Sequence, residues 1–190
     1  MPSSPPTPAL FLDRDGVIIE NRANYVRSWA DVEIFPQALA ALAHVRAAPY
    51  KVIVVTNQSA VGRGLVSLAE VEAINQRLWR VVEGKNGRLD AIYTCPHAPE
   101  ADCPCRKPRP GLLLQAAADH NLDLSRSIMI GDALTDMQAG QAAGCAQLIL
   151  LRTGRGSAQA QLPAIAGFPH LQLYDTLASA LHTLFPTINS

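Results

Sequence analysis

The chain has 190 residues, of which 48% are hydrophobic and only 17% charged. That is enough apolar surface to bury the core of one ordinary domain, and it excludes a disordered chain. Sixteen Lys and Arg balance sixteen Asp and Glu, for a formal net charge of zero, which argues against a binder of nucleic acid or of acidic membrane surfaces.

The elements follow in chain order. Residues 1–8, Met-Pro-Ser-Ser-Pro-Pro-Thr-Pro, read as a mobile tail. They lack the basic n-region and long apolar h-region of a signal peptide. No apolar run approaches the roughly 18 residues of a membrane span, so the expectation is a cytoplasmic, monomeric protein with one domain over 9–190. Ala9-Leu10-Phe11-Leu12 is a short apolar run that stops at an acidic turn, as a buried strand does. Pro36 to Ala48 reads as a helix, with Leu39, Leu42 and Val45 at helical spacing and Pro at its start. Lys51 to Val55 is rich in β-branched residues and reads as a strand. Ser67, with Glu70 three residues on, opens a helix that runs to about Glu83. Leu89–Thr94 is the next strand, Gly111–His120 a helix behind Pro110, and Ser127–Ile130 a fourth strand. Thr135–Ala143 is a short helix closed by Gly144, and Gln147–Leu151 a fifth strand. Residues 154–170 have weak periodicity and read as a surface connection, before a last helix over Asp175–Phe185. Strands alternating with helices predict an α/β fold, a Rossmann-like parallel sheet with helices on both faces.

In open α/β sheets the ligand sits beyond the carboxyl ends of the strands. After the first strand comes Asp13-Arg14-Asp15-Gly16-Val17; after the second, Thr56-Asn57-Gln58-Ser59. The third is followed by a Cys/His cluster and Arg106-Lys107-Pro108; the fourth ends in Gly131-Asp132-Ala133-Leu134-Thr135-Asp136. Alone, each has a bland reading: D-x-D is common in turns, Asp136 can simply cap a helix, and a single Lys is usually a solvated charge. Together, each tied to an apolar strand, they are specific. Converging Asp13, Asp15 and Asp132 would suit Mg²⁺, a hard cation that binds through carboxylates, water and substrate phosphate. One carboxylate can attack phosphorus while another moves the proton of the leaving alcohol. Thr56 and Lys107 would stabilise the phosphoryl oxygens.

Cys95, His97, Cys103 and Cys105 lie within eleven residues. In a reducing compartment that set reads as a closed, structural Zn²⁺ site in a loop over 95–105. The alternatives are a Cys-rich loop without metal or a zinc-stabilised interaction module without catalysis. Cys145 stands alone and reads as a small core residue.

These residues resemble the haloacid dehalogenase superfamily of phosphatases: Asp13-Arg14-Asp15-Gly16-Val17 matches its first motif, Thr56 its second, Lys107 its third, and Gly131-Asp132 with Asp136 its fourth. The pairs Cys95-x-His97 and Cys103-x-Cys105, and Cys105-Arg106-Lys107-Pro108, extend the likeness to its heptose-bisphosphate phosphatase family, with histidinol-phosphatase domains as near relatives. The resemblance covers about residues 9–155. It implies Asp13 as nucleophile, Asp15 as general acid and base, and Mg²⁺ on Asp13, the Asp15 backbone carbonyl and Asp132. It implies substrate recognition by Asn21, Arg22, Asn24, Asn57, Gln58, Ser59 and Arg106. Some relatives carry Lys directly after the fourth-motif Asp, in contact with substrate; here Ala133 stands there, so that contact is absent or replaced, with Arg63 or Arg22 able to compensate. The stretches between motifs are too short for an inserted cap domain, so a capless fold is expected. The implied reaction removes the 7-phosphate of a heptose 1,7-bisphosphate by way of an aspartyl phosphate. Its product, heptose 1-phosphate, would feed nucleotide-activated heptose for lipopolysaccharide. Histidinol phosphate is the alternative substrate; Arg22 and Arg106 favour one with a second anionic group.

Overall fold

The structure, a computed structural model, describes residues 5–168 and 170–186. Its elements run β1 (Ala9–Leu12), α1 (Pro36–His44), β2 (Lys51–Asn57), α2 (Ser59–Gly62), α3 (Leu68–Gly84), β3 (Ala91–Cys95), α4 (Gly111–His120), β4 (Ile128–Gly131), α5 (Leu134–Ala143), β5 (Gln147–Leu151), α6 (Gly156–Gln159), β6 (Leu171–Tyr174) and α7 (Leu177–Leu184). Among the described residues the strands form one six-stranded parallel sheet in the order β3-β2-β1-β4-β5-β6.

Side chains alternate across a strand, so each strand feeds two cores. Leu10, Leu12, Val52, Val54, Ile128 and Ile130 pack on one face with residues of α1, α3 and α7. Phe11, Ile53, Val55, Met129, Leu148 and Leu150 pack on the other with residues of α4 and α5. Both faces of the central strands are therefore dry, which explains why they read as unbroken apolar runs. The chain builds outward from β1 through β2 to β3, then returns to β4 on the other side of β1. The carboxyl ends of β1 and β4 thus flank the switch point, where such sheets open a crevice.

Local signals hold where a cap or breaker carries them. The Ser67 side chain accepts from the Glu70 N–H at the start of α3, and Gly144 closes α5 at φ 84°. Helix α1 ends at His44 instead of Ala48, because the chain turns before Pro49, which disfavours helix in the residue ahead of it. Strand β2 runs on to Asn57, since Thr56 and Asn57 keep pairing with Thr94 and Cys95. The last helix begins at Leu177, capped by Thr176. Strand β6 was not expected: it is a four-residue edge strand with two exposed residues, too short for a clear alternation. The segment before it, expected as plain connection, contains α6 and a 3-10 turn over Pro163–Gly167. Residues 1–4 of the expected tail lie outside the described residues. Its end is tied down: Thr7 exchanges backbone hydrogen bonds with Asn121 and Asp123, and the Pro8 carbonyl accepts from Lys51. Among the described residues no helix is long and apolar enough to cross a membrane.

Candidate active site

A crevice of about 540 Å³ opens at the switch point, with Asp13, Asp15, Lys107 and Asp136 in its wall. Asp13 leaves β1 with its backbone N–H bonded to the Ile130 carbonyl of β4 at 3.0 Å, which fixes the end of one strand against the other. Lys107 arrives from beyond β3. Its ammonium lies 3.0 Å from Asp13 Oδ1 and 2.7 Å from Asp136 Oδ1, and donates to the Val55 carbonyl at 2.7 Å. All three side chains are buried. Asp136 is engaged on both sides: Oδ2 accepts from the Ala133 N–H at the start of α5 while Oδ1 meets Lys107.

Asp132 is fully buried at the end of β4. Its Oδ2 accepts from Asn21 Nδ2 and, at 2.8 Å, from the Arg155 backbone N–H. Gly16, at φ 86°, passes so near that a Cβ there would lie 2.1 Å from that oxygen. A side chain has neither the room nor the backbone preference to stand there. Burial pushes the Asp13 carboxyl up to about 7, against the pull of Lys107 and with help from Asp136, Asp132 and Asp15. Burial, with Asp136 beside it, likewise lifts Asp132 to about 6. Lys107 rises as well, because its two carboxylates outweigh the burial that opposes its charge.

One oxygen of each of Asp13, Asp132 and Asp136 lies within 4.8 Å of the others. Three carboxylates against one ammonium leave a formal charge of −2 when all are ionised. Among the described residues Asp132 Oδ1 is also buried without a hydrogen-bond partner. An oxygen-rich pocket with that charge and a free acceptor fits a divalent hard cation. The Asp15 carboxylate is not part of this group.

Asp15 is held from the other side. Arg14, fully buried, grips it through Nε at 3.0 Å and Nη2 at 3.3 Å, and spends Nη1 on Asn75 Oδ1 at 2.8 Å. Gln58 Nε2 donates to Asp15 Oδ2 at 2.9 Å and to the Thr56 hydroxyl at 2.8 Å. Thr56 is itself fully buried, behind the crevice wall, with its hydroxyl 3.5 Å from Asp15 Oδ2.

Several residues expected to meet substrate are otherwise engaged. Asn57 spends its amide on the Lys107 peptide, Oδ1 accepting from the N–H at 3.1 Å and Nδ2 donating to the carbonyl at 3.0 Å. Asn21 orients Asp132. Asn24 is exposed, between Ala23 and Tyr25, which line the crevice, and is not itself among the lining residues. Arg22 and Arg106 line the crevice, although Arg22 also bonds the Asp31 carbonyl and Glu33, and Arg106 the His97 carbonyl. Ser59 lines it from the first turn of α2. Arg63 pairs with Glu100 and is not among the residues that line the crevice. The residues that sequence reasoning missed are Arg14, hidden inside a motif read for its acids, and Arg155, in a segment read as mere connection. The glycines either side of Arg155 were the available signal.

Cys95, His97, Cys103 and Cys105 converge just before Lys107. Cys105 Sγ lies 3.2 Å from Cys95 Sγ, 3.4 Å from Cys103 Sγ and 3.3 Å from His97 Nδ1. Cys95 Sγ lies 3.6 Å from both Cys103 Sγ and His97 Nδ1. Four donors around zinc at about 2.3 Å for sulfur and about 2.0–2.1 Å for nitrogen stand roughly 3.4–3.8 Å apart. The observed separations of 3.2–3.6 Å run a little shorter, and all four donor atoms lie within 4.8 Å of one another, a set that can hold a metal ion.

Comparison with known proteins agrees with this geometry. A family model for HAD-hydrolase-like proteins matches residues 104–180. The D-glycero-beta-D-manno-heptose-1,7-bisphosphate 7-phosphatase of Pseudomonas aeruginosa is 36% identical over 175 residues, 92% of this chain and 96% of that protein. The enzyme of the same name from Bordetella bronchiseptica is 39% identical over 157 residues, 81% of this chain and 87% of its own. A crystal structure of D,D-heptose 1,7-bisphosphate phosphatase from B. bronchiseptica, complexed with magnesium and phosphate, superposes with a TM-score of 0.87 at 34% identity, covering 94% of this chain and 98% of that one.

Proposed function

The chain belongs to the heptose-bisphosphate phosphatase family of haloacid-dehalogenase-like hydrolases, and from that premise we propose that it removes the 7-phosphate of D-glycero-D-manno-heptose 1,7-bisphosphate. The observation that carries this reading is the placement of Asp13: a buried carboxylate on the crevice floor, 3.0 Å from a buried ammonium and beside Asp132 with its unpartnered oxygen.

In this reading an Asp13 oxygen attacks the C7 phosphorus, forming an aspartyl phosphate and breaking the bond to the sugar oxygen. Asp15 gives its proton to the departing alkoxide. It then takes a proton from the water that attacks phosphorus, and Asp13 and inorganic phosphate are released. Lys107, aimed between Asp13 and Asp136, donates to phosphoryl oxygens as their charge redistributes. Arg14 and Gln58 keep the Asp15 carboxylate in one orientation through both steps. Thr56 acts on Asp15 and Gln58, which its hydroxyl faces. Asp13 and Asp132, with the Asp15 backbone carbonyl, would hold Mg²⁺, which when bound supplies positive charge against the phosphoryl oxygens. Cys95, His97, Cys103 and Cys105 would hold Zn²⁺, stiffening the loop that delivers Arg106 and Lys107.

Among the described residues no inserted domain covers the crevice, so the loops around it recognise the substrate. Arg22, Arg106 and Arg155 lining it favour a second phosphate over the amine and imidazole of histidinol phosphate. The test is hydrolysis of both substrates side by side with Mg²⁺, the released position read by ³¹P NMR. Preference for the bisphosphate with heptose 1-phosphate as product is expected. A higher kcat/KM on histidinol phosphate, or release from C1, would overturn the reading.

A further inference from the structure

The loop that follows β5 is built into the site. The Thr153 hydroxyl donates to the Gly16 carbonyl at 2.6 Å, which ties the loop to the turn after β1. Gly154, at φ 55°, packs so closely that a Cβ there would lie 2.4 Å from Asp132 Oδ2 and 2.5 Å from Asn21 Nδ2. A Cβ at Gly156 would lie 1.5 Å from the Leu151 carbonyl oxygen. Residues 153, 154 and 156 are thus fixed, and Arg155 between them has little freedom in its backbone. Its N–H donates to Asp132 Oδ2 while its side chain lines the crevice.

The three crevice arginines differ in what they already hold. Arg22 is bonded to the Asp31 carbonyl and Glu33, and Arg106 to the His97 carbonyl. Arg155 has, among the described residues, one ionic neighbour, Asp132 Oδ2, at 3.7 Å from Nε, beyond hydrogen-bond range. Its side chain is 60% exposed, at the rim and not on the floor. The floor belongs to Lys107, 3.0 Å from Asp13, where the reacting phosphate must sit. A guanidinium at the rim can present both Nη donors to an anion as a fork, and it keeps its charge at any working pH.

We propose that Arg155, from the β5 loop, is a specificity-determining residue that grips the substrate's second phosphate. The assignment rests on the sugar-bisphosphate reading of the site. It separates two functions within one residue: the main chain orients Asp132, and the side chain recognises substrate.

That separation makes the test direct. In Arg155→Ala the N–H to Asp132 remains, but the guanidinium 3.7 Å from Asp132 Oδ2 is lost, so both enzymes are compared at saturating Mg²⁺. The kcat/KM for heptose 1,7-bisphosphate is expected to fall about 10- to 100-fold, mostly through KM, as for loss of a hydrogen bond to a charged group. Activity on p-nitrophenyl phosphate, which carries no second phosphate, is expected within about twofold of wild type. Arg155→Lys, which keeps the charge without the fork, should recover part of the loss. Equal losses on both substrates, or an undiminished kcat/KM on the bisphosphate, would each overturn the proposal. A wild-type protein with no preference for the bisphosphate would overturn the functional reading and this proposal with it. A preference that survives in Arg155→Ala would overturn this proposal alone.

Discussion

Asn57→Ala separates a strut from a substrate contact. The Asn57 amide is used in both directions by the peptide of Lys107, at 3.1 and 3.0 Å, and Lys107 is 2% exposed. Truncation leaves one donor and one acceptor of that peptide without their partner. Each orphan costs about 1–3 kcal/mol in a dry interior. Asn57 is only half-buried at the crevice wall, so water can refill part of the space, and the lower end applies: about 2 kcal/mol in all. For a chain of this size that is a fall of about 4–8 °C in thermal midpoint. The same loss frees the Lys107 segment, so its ammonium no longer holds station between Asp13 and Asp136. Turnover should then fall by a similar factor on heptose bisphosphate and on p-nitrophenyl phosphate. The assays are calorimetry and steady-state kinetics on both substrates. A loss confined to the bisphosphate with an unchanged midpoint would refute the strut and restore Asn57 as a recognition residue.

The other expectations follow from the same geometry. Asp13→Asn should abolish turnover, and near-normal rates would remove it as nucleophile. Asp15→Asn should cost roughly 10²–10⁴-fold, the usual worth of a general acid; a small loss would place the acid elsewhere. Metal analysis of protein purified without chelators should find one zinc per chain, retained in mild EDTA that stops activity reversibly, with Mg²⁺ alone restoring it. Protein without zinc would overturn the cluster assignment. The raised carboxyls of Asp13 and Asp132 set the pH dependence of chelated protein. Their folded values of about 7 and about 6 stand above the ordinary 3.8, so the folded state binds protons that the unfolded chain has released. Their contribution is complete below about pH 4 and is lost as pH rises through about 6 and 7. In EDTA the thermal midpoint should therefore drop between pH 5 and 8. Mg²⁺, which needs the ionised ligands, should raise it more at pH 8 than at pH 5. A larger Mg²⁺ shift at pH 5 would contradict the placement of those two carboxylates.

Much of this site was legible because the acids stand at the ends of strands that announce themselves. Leu10, Phe11 and Leu12 are apolar on both faces, so the strand must be buried and Asp13 must emerge at its carboxyl end. The same logic gives Asp132 after Ile128–Ile130. What each polar side chain touches was not legible, because those partners lie far along the chain. Asn21 reaches Asp132 across 111 positions, and Asn57 reaches Lys107 across 50. Both read as loop residues free to meet a ligand, since periodicity reports which face is buried and says nothing of side-chain pairing. Arg14 is the sharper case. The sequence assigns Arg14, between two acids, no role, yet it is fully buried, with Asp15 and Asn75 together meeting its donors.

The site holds its groups by two different means, and the difference follows from the sheet. Asp13 and Asp132 grow out of the central strands β1 and β4, where packing on both faces leaves the backbone no freedom. Lys107 must come from beyond β3, the edge strand, whose residues up to Thr94 are only half-buried. Packing there is too thin to place an ammonium within 3.0 Å of a carboxylate. Two devices supply what packing does not: the Asn57 amide clamps the Lys107 peptide, and the Cys/His cluster gathers residues 95–105 immediately ahead of it. On this view the proposed zinc, held by residues outside the crevice lining, still acts on the chemistry, by fixing an edge that the core cannot reach. Its removal should then loosen Lys107 before it disturbs Asp13 or Asp132.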